Sequence, residues 1–290
     1  MTSRKVDVHE LIAWGLDEYS YRDDAAGFDS TELAARIRQA STRLAERDRY
    51  TSATALLEQE TRDIQPLLAM ATQHEDLHLE YQGLDWMLGV VDLRLLLAFQ
   101  RRLIFSLSQQ ASTIPVQGDW PGLISLAVGS QRSTEHVLVH NVSGTDRLDI
   151  GLHSSNPDLQ LRFTQKTSGG GALPLSLYGG SPFFEVAEFR GRWFLRDGYH
   201  RAYHLLQAGV DRIPAVVIYA RSIAELGATA PWFFDEEQLF SDRPPQVTDF
   251  LDSDMILRYE RTALRKVIRI RVEESLEPCD EVQEGQGERL

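Results

Sequence analysis

The chain has 290 residues, an ordinary apolar share of 42% and a net charge of −13 from 43 acidic and 30 basic residues. That balance argues against broad electrostatic contact with DNA or RNA, which rests on neutralising phosphates. One cysteine, Cys279, excludes an intramolecular disulfide and suits a reducing cytoplasm; the start, MTSRKVDVHELIAWG, has no signal-peptide pattern, and no run approaches the ~18 apolar residues of a membrane-spanning helix.

Residues 5–110 read as helical. Ser30-Thr31-Glu32 opens a helix with an apolar face of Leu33, Ile37 and Leu44. A second helical stretch runs from Thr51 to about Val91, broken or kinked at Pro66. Asp92 then caps a third helix, whose leucine-rich surface from Leu93 to Leu107 suits a core or a homodimer equally. Inside the second stretch, His74-Glu75-Asp76-Leu77-His78 matches H-E-x-x-H. On one helix, His74 and His78 would share a face for zinc and Glu75 would activate a water, the basis of a metal-dependent hydrolase as an alternative reading. No third ligand is spaced for it: Tyr81 stands where the extended motif has Gly, and no Glu falls between Tyr81 and Thr134. The preferred reading is therefore no metal site, with His74 as a half-buried packing residue on a seven-residue apolar stripe.

From Ala111 onward Gly, Pro, Ser and β-branched residues increase. Gly122–Val128, His136–Val142 and Leu159–Phe163 read as strands, and Ser168-Gly169-Gly170-Gly171 as a flexible loop. Two short strands, Phe184–Phe189 and Arg192–Leu195, flank a tight turn at Arg190-Gly191. Glu185 and Glu188 fall on opposite faces of the first, so at most one points into a pocket as a base or nucleotide contact. A helix follows Asp197-Gly198 and ends at Ala208-Gly209, with Gly209 at C′. Ala215–Tyr219 reads as a buried strand, Trp232-Phe233-Phe234 and Phe240 as a segment folded back on the core, and Arg265–Val272 as a basic edge strand. The last eighteen residues, from Glu273, are acidic and read as disordered.

The segment FLRDGYHRAYH, Phe194–His204, carries the functional argument. A strand, a Gly-containing turn and a helix bring backbone N–H groups to a helix start, where they meet anions. His200 and Arg201 sit in that first turn, against the helix dipole, so a negative ligand such as phosphate is expected to compensate. Asp197 reads either as a helix cap or as an acid/base for phosphoryl transfer.

The order hairpin, D-G-x-H-R helix, then Ile213-Pro214 and strand resembles the ParB/sulfiredoxin superfamily, over about residues 184–221. The turn is Asp197-Gly198-Tyr199-His200-Arg201; Gly198 and Arg201 match the partition proteins and the sulfiredoxins, and His200 matches the sulfiredoxins. The resemblance implies an ATP or CTP site, with Mg2+, at Gly198, Tyr199, His200 and Arg201. Tyr199 stands where sulfiredoxins carry their catalytic cysteine, so sulfinic-acid reduction is not implied. The residues after Tyr219 are too few for a helix-turn-helix domain, so a DNA role is not implied either. The related serine kinases use an acidic residue as base, and Asp197 would be its equivalent, which keeps phosphoryl transfer open.

These readings give an α+β chain: helical residues 1–111, a mixed-sheet domain over 112–272 with its core at 180–226, and a tail over 273–290. The expected function is cytoplasmic nucleotide binding, with phosphoryl transfer or nucleotide hydrolysis as the chemistry. The alternative is a non-catalytic regulatory or interaction protein on the same fold. A nucleotide and a small-molecule or protein partner are expected, and no membrane.

Overall fold

The computed structural model describes residues 4–17, 29–105, 114–129, 138–144, 147–154, 160–163, 175–178, 181–264 and 266–273. The chain is α+β, as its sequence suggests. In chain order the elements are β1 (Lys5–Leu11), α1 (Ser30–Glu46), α2 (Glu58–Asp63), α3 (Gln65–Ala71), α4 (Glu75–Glu80), β2 (Trp86–Asp92), β3 (Leu97–Ala98) and β4 (Arg102–Phe105). Then come α5 (Trp120–Val128), β5 (Leu138–Gly144), β6 (Arg147–Ser154), β7 (Gln160–Phe163), β8 (Leu175–Tyr178), β9 (Glu185–Phe189), β10 (Arg192–Asp197) and α6 (Tyr199–Gln207). The last are β11 (Arg212–Tyr219), α7 (Ile223–Leu226), α8 (Glu236–Leu239), β12 (Ile256–Thr262) and β13 (Lys266–Glu273).

Two compact units divide the chain, one of Met1–Arg132 with Ser181–Ala263, the other of Ser133–Gly180 with Leu264–Leu290. This differs from a boundary at residue 112, because the N-terminal third supplies strands to the sheet of the D-G-x-H-R segment. In the first unit, a five-stranded sheet runs β2-β11-β9-β10-β3, and a three-stranded sheet runs β12-β1-β4. The large sheet is mixed: β11 lies parallel to β9 and antiparallel to β2, while β9 and β10 form the hairpin. Arg190 (φ 52°) and Gly191 (φ 75°) make the two-residue turn with two left-handed residues that suits a twisted hairpin. In the second unit, β13 is an edge of the sheet β13-β6-β5, in keeping with its alternating basic residues, and β7 pairs with β8.

Several sequence readings need correction. Lys5–Leu11 and Arg102–Phe105, read within a helical stretch, are the paired strands β1 and β4. Trp86–Asp92 is a strand, not the end of a helix: it is an unbroken apolar run buried between β11 and the residues before α2, where period carries no information. Asp92 caps only a single 3-10 turn over Leu93–Leu95, its carboxylate accepting from the Arg94 N–H at 2.9 Å. Leu93, Leu96, Leu97 and Leu103 are fully buried in the core, and Leu95 is 37% exposed. Residues 120–128 form a helix rather than a strand, because Asp119 accepts from the Gly122 N–H and Pro121 occupies the first turn, where its missing N–H costs nothing. By contrast α1 forms as its capping and spacing indicate, with Asp29 accepting from the Thr31 and Glu32 N–H groups. Its Leu33, Ile37 and Leu44 pack on Ile12, Ala40, Met255 and Leu257.

Candidate functional site

The strand–turn–helix joint forms where the sequence places it, but its side chains have unexpected partners. Gly198, not Asp197, is the N-cap of α6, at φ 98° in the left-handed region, and no side chain caps the helix. A Cβ there would stand 2.6 Å from the Phe184 ring, so both the backbone and the packing require glycine. Asp197 is the last residue of β10, with a half-exposed side chain, and its Oδ1 lies 3.9 Å from an Arg201 terminal nitrogen. The cap reading of Asp197 is thereby corrected.

The next three side chains turn toward the protein. The Tyr199 hydroxyl is buried and accepts from the Phe99 N–H at 2.9 Å; burial raises its pKa well above the usual phenol range. His200 donates from Nε2 to the Ile104 carbonyl at 3.0 Å, covering the open side of edge strand β4. Arg201 donates from one terminal nitrogen to the Leu126 carbonyl at 3.1 Å and the Pro182 carbonyl at 2.9 Å, and from the other to the Phe183 carbonyl at 2.7 Å. Burial lowers its pKa, with Asp197 and Glu185 opposing. Arg201 thus stitches the end of α5, the approach to β9 and α6 together. Its positive charge serves main-chain carbonyls that no ladder reaches.

Behind the joint lies a buried ionic cluster. Glu185, 1% exposed at the start of β9, pairs through Oε2 with Arg196 and accepts through Oε1 from the Tyr81 hydroxyl at 2.6 Å. Burial and the Glu185 charge both hold Tyr81 protonated, far above its ordinary range. The Ser181 hydroxyl lies 3.3 Å from that of Tyr81. Arg196 also donates through Nε to the Glu225 carbonyl at 3.2 Å. Arg196 and Tyr81 were not legible as partners of Glu185: Arg196 stands at a register shift between Leu195 and Asp197, and Tyr81 is 104 positions away. Glu188 faces away, as its spacing predicts, and accepts from the Gly191 N–H at 2.6 Å in the hairpin turn.

The second histidine pattern does not assemble. His74 has an extended backbone (ψ 118°) and precedes α4 rather than riding on it, so His74 and His78 do not share a helical face. His74 is exposed rather than half-buried, and His78 Nε2 donates to the Thr72 carbonyl at 2.9 Å. Among the described residues no three His, Cys, Asp or Glu side chains converge as a metal site would require.

His200 makes the joint acid-sensitive. Its ring is 5.3 Å from Phe105, which also meets His9 at 4.7 Å and His204 at 6.0 Å. Burial depresses the His200 pKa to about 4, with the nearby His204, Arg201 and His9 adding to the effect. The folded state then binds fewer protons than the unfolded chain, so stability is complete above pH ~6.5 and falls progressively toward pH ~4, by about 3 kcal/mol at most. Urea titrations from pH 7.5 to 4 are expected to show this loss, and His200→Gln to flatten it. A wild-type profile level through that window would contradict the burial of a neutral His200.

Comparison with family models, with curated proteins and with solved structures finds no match to this chain.

Proposed function

We propose that this protein binds a nucleotide, ATP or CTP with Mg2+, through the main-chain amides opening α6, as a cytoplasmic regulatory module of ParB/sulfiredoxin type that does not turn its ligand over. One observation carries this reading: the left-handed Gly198 at the N-cap leaves the first amides of a nine-residue helix without a side-chain cap. Such amides, aligned with the helix dipole, favour an anion. Arg196 and Arg201, each with a side chain 24% exposed, sit close to that turn.

The same geometry argues for modest affinity. Arg196 and Arg201 are balanced by Glu185 and Asp197, so the four formal charges cancel and the amides supply most of the attraction. It also argues against chemistry by this site. Both Glu185 oxygens are already engaged, which disfavours a base at that position. Asp197 faces the ligand position as a repelling charge, and Mg2+ carried on the phosphates would offset it. No helix among the described residues is long and apolar enough to cross a membrane. The cytoplasmic placement rests on the single cysteine.

Asp197→Asn tests the arrangement by removing one charge at constant side-chain size, next to the Arg201 guanidinium 3.9 Å away. In magnesium-free buffer, calorimetry is expected to show ATP binding the variant about three- to tenfold more tightly than wild type, the scale of one partly solvated charge. Unchanged or weaker binding would place the phosphates elsewhere. Release of inorganic phosphate with Mg2+ present would contradict the absence of turnover.

A further inference from the structure

The strand β2 ends the five-stranded sheet, and only half of its outer edge is covered. The Tyr219 N–H donates to the Asp85 carbonyl at 2.9 Å, which fixes the odd-numbered residues of this strand as those bonding inward to β11. The even-numbered residues therefore direct their N–H and C=O groups outward. At one end these groups are used: the Asp92 N–H donates to Ala55 O, Val90 O accepts from the Leu57 N–H, and the Val90 N–H donates to the Thr61 hydroxyl at 2.9 Å. Ala55–Leu57 thus runs antiparallel to the edge as a short added strand, with the Leu56 side chain close over Gly89. The chain then leaves into α2. At Trp86 and Leu88 the outward main-chain groups have no hydrogen-bond partner among the described residues.

Beside them lies a cavity of about 440 Å³, lined by Gln65, Leu68, Thr72 and His78 on one side and Trp86–Leu88 on the other. The helices that wall it, α3 and α4, expose Met70 and Leu79 at 74% and 62%, unusual positions for large apolar side chains. No lysine or arginine lines the cavity; the exposed Asp85 directly precedes Trp86 in its lining, and the exposed Glu75 opens α4, which carries His78.

We infer that this groove is a docking site for an extended protein segment of alternating basic and apolar residues, which adds to the open half of the β2 edge as a further strand. Three observations select this occupant. The strand Ala55–Leu57 already seats on the same edge in the same manner, so the geometry for strand addition is in place. Apolar walls take every second side chain of the segment, and the acidic rim takes the basic ones between. The two free residues of the edge match a contact of about three residues, or roughly 10 Å of strand. This site is separate from the start of α6 and does not depend on nucleotide binding.

The test uses the full chain and the end-blocked hexapeptide Lys-Val-Lys-Val-Lys-Val. Nuclear magnetic resonance is expected to show saturable shifts at Trp86 and Leu88, with slowed exchange of their amide hydrogens. Replacing the peptide's Lys by Glu should weaken binding roughly tenfold. Methylating the nitrogens that face the edge should abolish it. Gln65→Trp, at an exposed wall position, should fill the groove and weaken binding at least tenfold while leaving the melting temperature unchanged. Equal binding by the methylated peptide, shifts confined to other surfaces, or no binding would overturn the proposal. So would a concentration-dependent dimer that protects these same amides, since a second copy would then occupy the groove.

Discussion

Replacing Arg201 with methionine is expected to destabilise the fold by about 3–5 kcal/mol, the scale for stranding buried polar groups whose charged partner is removed. The three carbonyls it serves, of Leu126, Pro182 and Phe183, lie at the end of α5 and in the segment leading to β9. Neither place offers a ladder partner to replace it. The neighbouring Phe184 N–H donates to the Ala127 carbonyl at 2.7 Å, so losing Arg201 loosens a junction that otherwise orders the whole entry to β9. Lysine has one point of donation rather than a planar fork, and Arg201→Lys should recover less than half of the loss. Equilibrium urea unfolding measures both. A loss below 1 kcal/mol for Arg201→Met would show that the guanidinium is not a structural clamp and is available to a ligand.

The second large effect belongs to the Glu185–Arg196 pair. Glu185→Leu alone leaves the Arg196 charge with the Glu225 carbonyl and the more distant Asp197, and Arg196→Met alone leaves a carboxylate that is 1% exposed. Each single change should lower stability by about 3–5 kcal/mol. The double variant should lose far less, within about 1–2 kcal/mol of wild type, because apolar side chains of similar volume replace a pair that burial makes costly. This coupling is read from a double-mutant cycle in urea. Additive losses would mean that the two groups are not each other's main partner. Tyr81 would still need a hydrogen-bond partner, and its hydroxyl 3.3 Å from Ser181 supplies one.

The local joints of the fold were legible, and its long-range partners were not. The hairpin turn at Arg190-Gly191, the left-handed glycines Gly198 and Gly209, and the β10–α6–β11 order follow from turn chemistry and short apolar periods that act within a few residues. The strand β2 was misread because an apolar run buried on both sides has no face for a period to mark. For the site, the spacing placed Gly198, Tyr199, His200 and Arg201 at a helix start, and that is where they stand. Where their side chains point depended on what lay above the turn. Phe99, Ile104 and Leu126 come from elements distant in sequence, and each accepts from or donates to one of these residues. No pattern within the segment encodes those partners. The sequence paired Arg201 with an anion, whereas its guanidinium donates to the Leu126, Pro182 and Phe183 carbonyls.

Backbone amides, rather than side chains, form the proposed anion site. Amide shift mapping of isotopically labelled protein during titration with ATP, CTP and inorganic phosphate, each with Mg2+, tests this most directly. The prediction is saturable shifts concentrated at the backbone N–H groups of Tyr199, His200 and Arg201, with no phosphate released. Silence at these amides at several millimolar ligand, or shifts centred on another surface, would contradict it.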